Sequence, residues 1–236
     1  MDINLKVWHL TRIPLAWSDM KHLFRLTKMW MCVLAVLSLA SSAQAQNSTK
    51  GSKSSSSSKQ VKRGEYLTKI GGCNDCHTPW TFNKELNMPV PDMSRMLSGH
   101  PEGAPDPSGT VGAQDIGLIG PTFTSFKMPF GVVYSANLTP DKDTGLGSWR
   151  EAEFIKALRT GKHFGGNGRC ILPPMPWMDF AHMTDEDLKA IFAYLRSIPP
   201  IRNAVPDPKV PTPALDGITE SFEKLKQMMA ASSRQK

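Results

Sequence analysis

Cysteine is scarce in this chain: four among 236 residues. Cys32 lies in an N-terminal apolar run and Cys170 stands alone, so one pair remains, Cys73 and Cys76. A zinc site on that pair needs a second half, which the chain does not supply. A thioredoxin-like dithiol needs a strand and a βαβ pattern around the pair; a helical stretch and Gly71-Gly72 precede it instead. No basic stripe interleaves with aromatic residues, which argues against a nucleic-acid partner. The one short apolar run, Met29 to Ala40, falls below the length of a standard membrane-spanning helix. The net charge of +7 is unevenly placed. Lys6, Arg12, Lys21, Arg25 and Lys28 against Asp2 and Asp19 give residues 1–45 a charge of +3, leaving +4 for the rest.

What is present is Cys73-Asn74-Asp75-Cys76-His77, a C-x-x-C-H sequence. This is the attachment pattern of a c-type haem. Two thiols on one helical turn reach two vinyl groups on one porphyrin edge and become thioethers. The next residue, His77, then supplies an imidazole as proximal iron ligand. The chain holds one such motif, so one covalent haem c is expected.

The N-terminus fits that reading. Lys21, Arg25 and Lys28 form a positive region, Met29 to Ala40 the apolar run, and Ala43-Gln44-Ala45 a small-x-small cleavage site. This predicts an export signal over residues 1–45, with translation starting at Met20, and a periplasmic product. The alternative is an uncleaved signal that tethers the protein to the membrane. Residues 46–60 are rich in Ser and Lys and read as a flexible linker.

Residues 61–202 form the expected domain, and 203–236 a Pro-rich tail ending in a weakly amphipathic helix. Val61 to Ile70 reads as a helix with Tyr66, Leu67 and Ile70 on one side, ended by Gly71-Gly72. Gly64 allows another helix to cross closely. Trp80 to Gly131, rich in Pro and Gly, reads as an irregular excursion. Ser148 with Glu151 predicts a capped helix from Trp149 to about Thr160, ended by Gly161. Thr184 with Asp187 opens the strongest helix, with Leu188, Ile191, Phe192 and Leu195 on one face. In the tail, Ile218, Phe222, Leu225 and Met229 share a face expected to pack on the domain.

Between the last two helices of the domain lies Leu172-Pro173-Pro174-Met175-Pro176-Trp177. Prolines on both sides of Met175 restrict the backbone and hold a thioether in place. Such a sulfur is a soft ligand that raises the haem potential. Met175 is the expected distal ligand. His163 and His182 flank the same loop, so a bis-histidine haem is the main rival. Met128, Met178 and Met183 are lesser ones. A five-coordinate iron, with His100, His163 or His182 as distal acid or base, would permit enzyme or ligand-sensor chemistry. Cys170 reads as a small, partly buried apolar residue.

Taken together the sequence resembles a class I cytochrome c, an all-α fold of short helices around one haem. It is similar to the cytochrome c subunits associated with bacterial periplasmic membrane dehydrogenases. The matching pieces are Gly64-Glu65-Tyr66-Leu67, Gly72 through Pro79, Asn137-Leu138-Thr139-Pro140-Asp141, Thr144 through Trp149, Pro174-Met175-Pro176 and Tyr194-Leu195-Arg196-Ser197. The resemblance implies Cys73 and Cys76 as haem thioethers, His77 and Met175 as axial ligands, and a crossing of the Gly64 and Tyr194 helices. It implies an electron carrier between redox proteins, a dehydrogenase and a terminal oxidase among them, rather than a catalyst.

Overall fold

A computed structural model describes residues 57–233, with side chains through Met228. The export-signal expectation, including Cys32, and most of the linker lie outside the described residues. Helix α1 occupies residues 57–70 and so takes in 57–60, which composition alone assigns to the linker. Lys59 and Gln60 are adequate helix formers, and a helix docked through Val61 and Leu67 propagates a turn beyond them. The buried face of α1 runs Gly64, Leu67 and Thr68. Tyr66 and Ile70 are exposed, against the expectation that they share the inner face with Leu67.

Gly71-Gly72 turns the chain into α2 (Cys73–His77), with Gly72 at φ 66°. Then follow β1 (Trp80–Asn83), β2 (Met88–Pro91), β3 (Leu118–Ile119), β4 (Ser125–Met128) and β5 (Gly131–Tyr134). After them come α3 (Glu151–Thr160), a distorted turn α4 (His163–Gly166), α5 (Trp177–Phe180), α6 (Asp185–Leu195) and α7 (Thr212–Ser233).

The strands correct the all-α expectation. About 40% of the structure is helical, and residues 80–134 carry two small antiparallel sheets, β1-β2 and β3-β4-β5. Prolines hid the first. Pro89 and Pro91 both lie in β2, facing Phe82 and Trp80. In a two-stranded hairpin each strand is an edge, so a missing N–H can face solvent. The Asn83 carboxamide accepts from the N–H groups of Glu85 and Leu86 at 2.9 and 3.0 Å, which closes the turn. The second sheet borrows an edge from the tail: Val132 and Lys209 exchange both backbone bonds, at 3.1 and 2.9 Å.

The core is built by α1, α3 and α6, with Leu67, Phe154, Leu158, Leu188, Ile191 and Leu195 buried together. Thr184 caps α6, its hydroxyl accepting from the Asp187 N–H at 3.1 Å, as the sequence predicts. The cap of α3 differs. Arg150, not Ser148, is its N-cap, and the Arg150 N–H donates to the Glu153 carboxylate at 2.8 Å. Both spacings offer an acid three residues on, and Trp149, packed against the core, leaves the helix to start after it. Gly161 ends α3 at φ 68°.

Candidate haem site

Helix α2 sets Cys73 half-buried, Cys76 exposed and His77 buried. The His77 Nδ1–H points at the Ala136 carbonyl, 2.7 Å away. That bond fixes the ring and leaves Nε2 with its lone pair free, the tautomer a metal ligand needs. This acceptor lies 59 residues on, two residues past the end of β5. Strand pairing carries it there: the Ser135 N–H donates to the Thr124 carbonyl at 2.9 Å, and the next residue presents its carbonyl to His77.

A second loop locks the backbone around the histidine. The Gly99 N–H donates to the His77 carbonyl at 2.8 Å, and the His100 N–H to Ser135 at 2.9 Å. The Leu97 N–H donates to the buried Thr78 hydroxyl at 2.9 Å. Asn203 cinches this loop from the far end of the domain. Its Oδ1 accepts from Arg95 at 3.0 Å and from the Glu102 N–H at 2.9 Å. Its Nδ2 donates to the carbonyls of Ser98 and His100 at 2.7 and 2.8 Å. Neither Ala136 nor Asn203 stands out in the sequence, because each acts through partners remote along the chain. Asn203→Ala would strand buried carbonyls and N–H groups, each costing about 1–3 kcal/mol when left unpaired. We expect urea unfolding of the haem-loaded protein to show a net loss of about 2 kcal/mol. An unchanged midpoint would mean that water or a shifted loop replaces the side chain.

A cavity of about 530 Å³ opens beside His77, within the usual range for cofactor sites. Its wall includes Cys73, His77, Leu138, Trp149, Phe154 and Met175. A smaller recess of about 90 Å³ brings Cys76 next to the same His77 and Met175. The four residues expected to hold a haem therefore border two recesses that share His77 and Met175. Two thiols, an oriented imidazole, a thioether and an apolar wall fit a covalently attached porphyrin. Asn137 shapes one side: its Oδ1 accepts from the Thr139 N–H and hydroxyl at 3.0 and 2.7 Å, which accounts for the Asn-x-Thr of that motif.

The rivals fall in different places. His163 lies on the cavity wall, its imidazole pushed down to about 4 by burial and then by the Arg169 cation. His182 is exposed and absent from that wall. His100 is fully buried but elsewhere, bonded through Nδ1 to the Thr124 hydroxyl at 3.0 Å. Met128, Met178 and Met183 do not line the cavity. Burial pushes the Cys73 thiol up to about 11, and burial with the Asp75 carboxylate raises Cys76. A dithiol redox centre needs the opposite shift, toward thiolate at neutral pH. Among the described residues no cluster of three His, Cys, Asp or Glu is placed to hold a metal ion.

No protein-family model matches the chain. Curated relatives do match. Over 154 residues, 65% of this chain, it is 32% identical to the gluconate 2-dehydrogenase cytochrome c subunit of Pantoea cypripedii. The chain is similar to cytochrome c subunits of bacterial dehydrogenases. Identity is 30% over 150 residues to the cytochrome c subunit of the quinone alcohol dehydrogenase of Gluconobacter oxydans. It is 27% over 146 residues to a diheme c-type cytochrome of Cereibacter sphaeroides. The chain spans only about a quarter of the length of the first two relatives, 26% and 24%. Among the described residues no helix is long and apolar enough to cross a membrane.

Proposed function

We propose that this chain is an exported c-type cytochrome that carries single electrons through one haem, periplasmic or tethered by an uncleaved signal. The observation that supports it most is the cavity shared by Cys73, His77 and Met175, with His77 oriented by Ala136. Cys73 and Cys76 would hold the porphyrin covalently, and His77 and Met175 would ligate its iron. Bound there, the haem supplies a one-electron couple. The protein's own residues do the rest. The Ala136 carbonyl accepts a hydrogen bond from the Nδ1–H of His77 and so keeps the other nitrogen free for the iron. Leu138, Phe154 and Leu195 keep water from its inner wall. With Met175 in place no site is left for a substrate, so transfer is outer-sphere. Cys76, exposed at the rim, marks the edge through which electrons would pass. A dehydrogenase as donor fits the names of the relatives, and a terminal oxidase as acceptor is proposed from the expected compartment alone.

A second reading has His163 as distal ligand, because it borders the same cavity. An absorption spectrum of the exported, haem-matured protein separates the two. We expect a low-spin c-type spectrum, a sulfur–iron band at the red edge of the oxidised form, and no response of the reduced form to carbon monoxide. A low-spin spectrum without that band would favour His163. A high-spin spectrum with ready carbon monoxide binding would favour an enzyme or sensor.

A further inference from the structure

Helix α7 lies outside every element that borders the cavity, yet it is anchored on the segment that carries Met175. We propose that α7 is a strap that holds the Met175 loop closed, with Phe222, Lys226 and Trp177 as positioning residues for the thioether. The inference rests on Met175 as distal ligand.

The contacts bracket Met175. Before it, the buried Cys170 sulfur lies 3.1 Å from the Thr219 hydroxyl of α7. After it, the Trp177 ring meets Phe222 edge-on, centroids 5.5 Å apart. Lys226 Nζ stands 5.3 Å from the centre of the same indole and donates to the Thr160 carbonyl at 2.8 Å. Glu223 pairs with Lys226 at 3.1 Å and reaches Lys162 at 3.9 Å. Helix α7 thus bonds to the C-terminal end of α3 and to both flanks of the loop.

Trp177 transmits the hold. Only 2% exposed, its ring is caught between α7 and Gly161. A Cβ at Gly161 would overlap that ring, so the backbone there fits flush against it. The Trp177 N–H in turn donates to the Met175 carbonyl at 2.9 Å. Among the described residues the indole N–H has no partner, so packing and the nearby cation keep the ring in place. The loop otherwise has little regular structure to anchor it. Among the described residues its one ladder contact is the isolated bridge between Lys162 and Cys170. Loosening α7 frees Trp177, and with it the two-residue link to Met175.

A ligand that needs a minor open form binds in proportion to that form's population. In the reduced, haem-loaded full chain, Phe222→Ala with Lys226→Ala should therefore speed carbon monoxide binding about tenfold and weaken the sulfur–iron band of the oxidised form. Lys224→Ala, exposed on the same helix, should change neither. Phe222→Leu, which keeps apolar bulk, should give a smaller acceleration and serves if the double variant fails to load haem. No acceleration in either would overturn the proposal. Repeating the double substitution on Met175→Ala separates a specific strap from general loosening. The strap predicts no further gain there, and an equal gain would overturn it. If Met175→Ala leaves the parent spectrum intact, the ligand assignment itself has failed, independently of α7.

Discussion

Gly64→Ala is expected to cost about 3 kcal/mol, and Gly64→Val to prevent the folded haem protein from accumulating. The reason is a helix crossing with no slack. A Cβ built on Gly64 collides with the carbonyl group of Ala190 and comes within 2.8 Å of the Tyr194 Cβ. Backbone cannot step aside as a flexible side chain can. The two helices must move apart, and the seam they share includes Leu67, Ile191 and Leu195, among the most buried apolar residues of the domain. Overpacking alone costs about 1–3 kcal/mol, and opening that seam adds to it. A change of about 3 kcal/mol lowers the melting temperature by roughly 6–12 °C for a domain of this size. Gly217→Ala is the control of opposite sign. Gly217 lies in α7 with open space around it, so the alanine should stabilise by up to about 1 kcal/mol through helix propensity. Equal melting temperatures for Gly64→Ala and the parent would mean that α1 and α6 do not cross at this glycine.

How much was legible depended on whether a residue acts alone or through distant partners. Gly64 was readable because a glycine inside a helix has few purposes beyond close approach. The Thr184 cap and the face Leu188, Ile191, Phe192 and Leu195 were readable because helical order is local. Cys73, Cys76 and His77 could be singled out because the C-x-x-C-H spacing is contained within five residues, and the structure sets all three beside neighbouring recesses. The β1-β2 sheet was not readable, because the prolines of β2 signal loop wherever a strand is assumed to have two neighbours. The α3 cap was misplaced by two residues because Glu151 and Glu153 both complete the motif. The acceptor of His77 and the clamp at Asn203 depend on tertiary geometry: their partners sit 59 and about a hundred residues away. A carbonyl has no side chain to read, and one asparagine among many turn residues carries no mark. The same holds for α7. Its apolar stripe predicted packing, but not that it would pack against the flanks of Met175.

Met175→Ala is expected to abolish the sulfur–iron band and to lower the midpoint potential by on the order of 0.1 V or more, within the ~0.8 V that axial ligation spans. Haem should be retained, because covalent attachment would reside in Cys73 and Cys76 and not in the loop. A thioether stabilises the reduced iron relative to a nitrogen ligand, so its loss moves the potential downward. The size of the fall depends on what replaces it. If water or no ligand enters, the reduced form binds carbon monoxide at once, and Met175→Ala becomes the open-site reference for the α7 variants. If His163 swings in, the spectrum stays low-spin without the sulfur band, and the potential falls further because a second imidazole favours the oxidised iron. Combining Met175→Ala with His163→Ala distinguishes these, since only a histidine-ligated form would turn high-spin on losing His163. Should Met175→Ala keep both band and potential, Met175 is a wall residue and another sulfur is the ligand. The geometry weighs against that outcome. Among the described residues Met175 is the one methionine on the cavity wall, and two prolines, a buried Trp177 and the overlying α7 all restrict the segment that carries it.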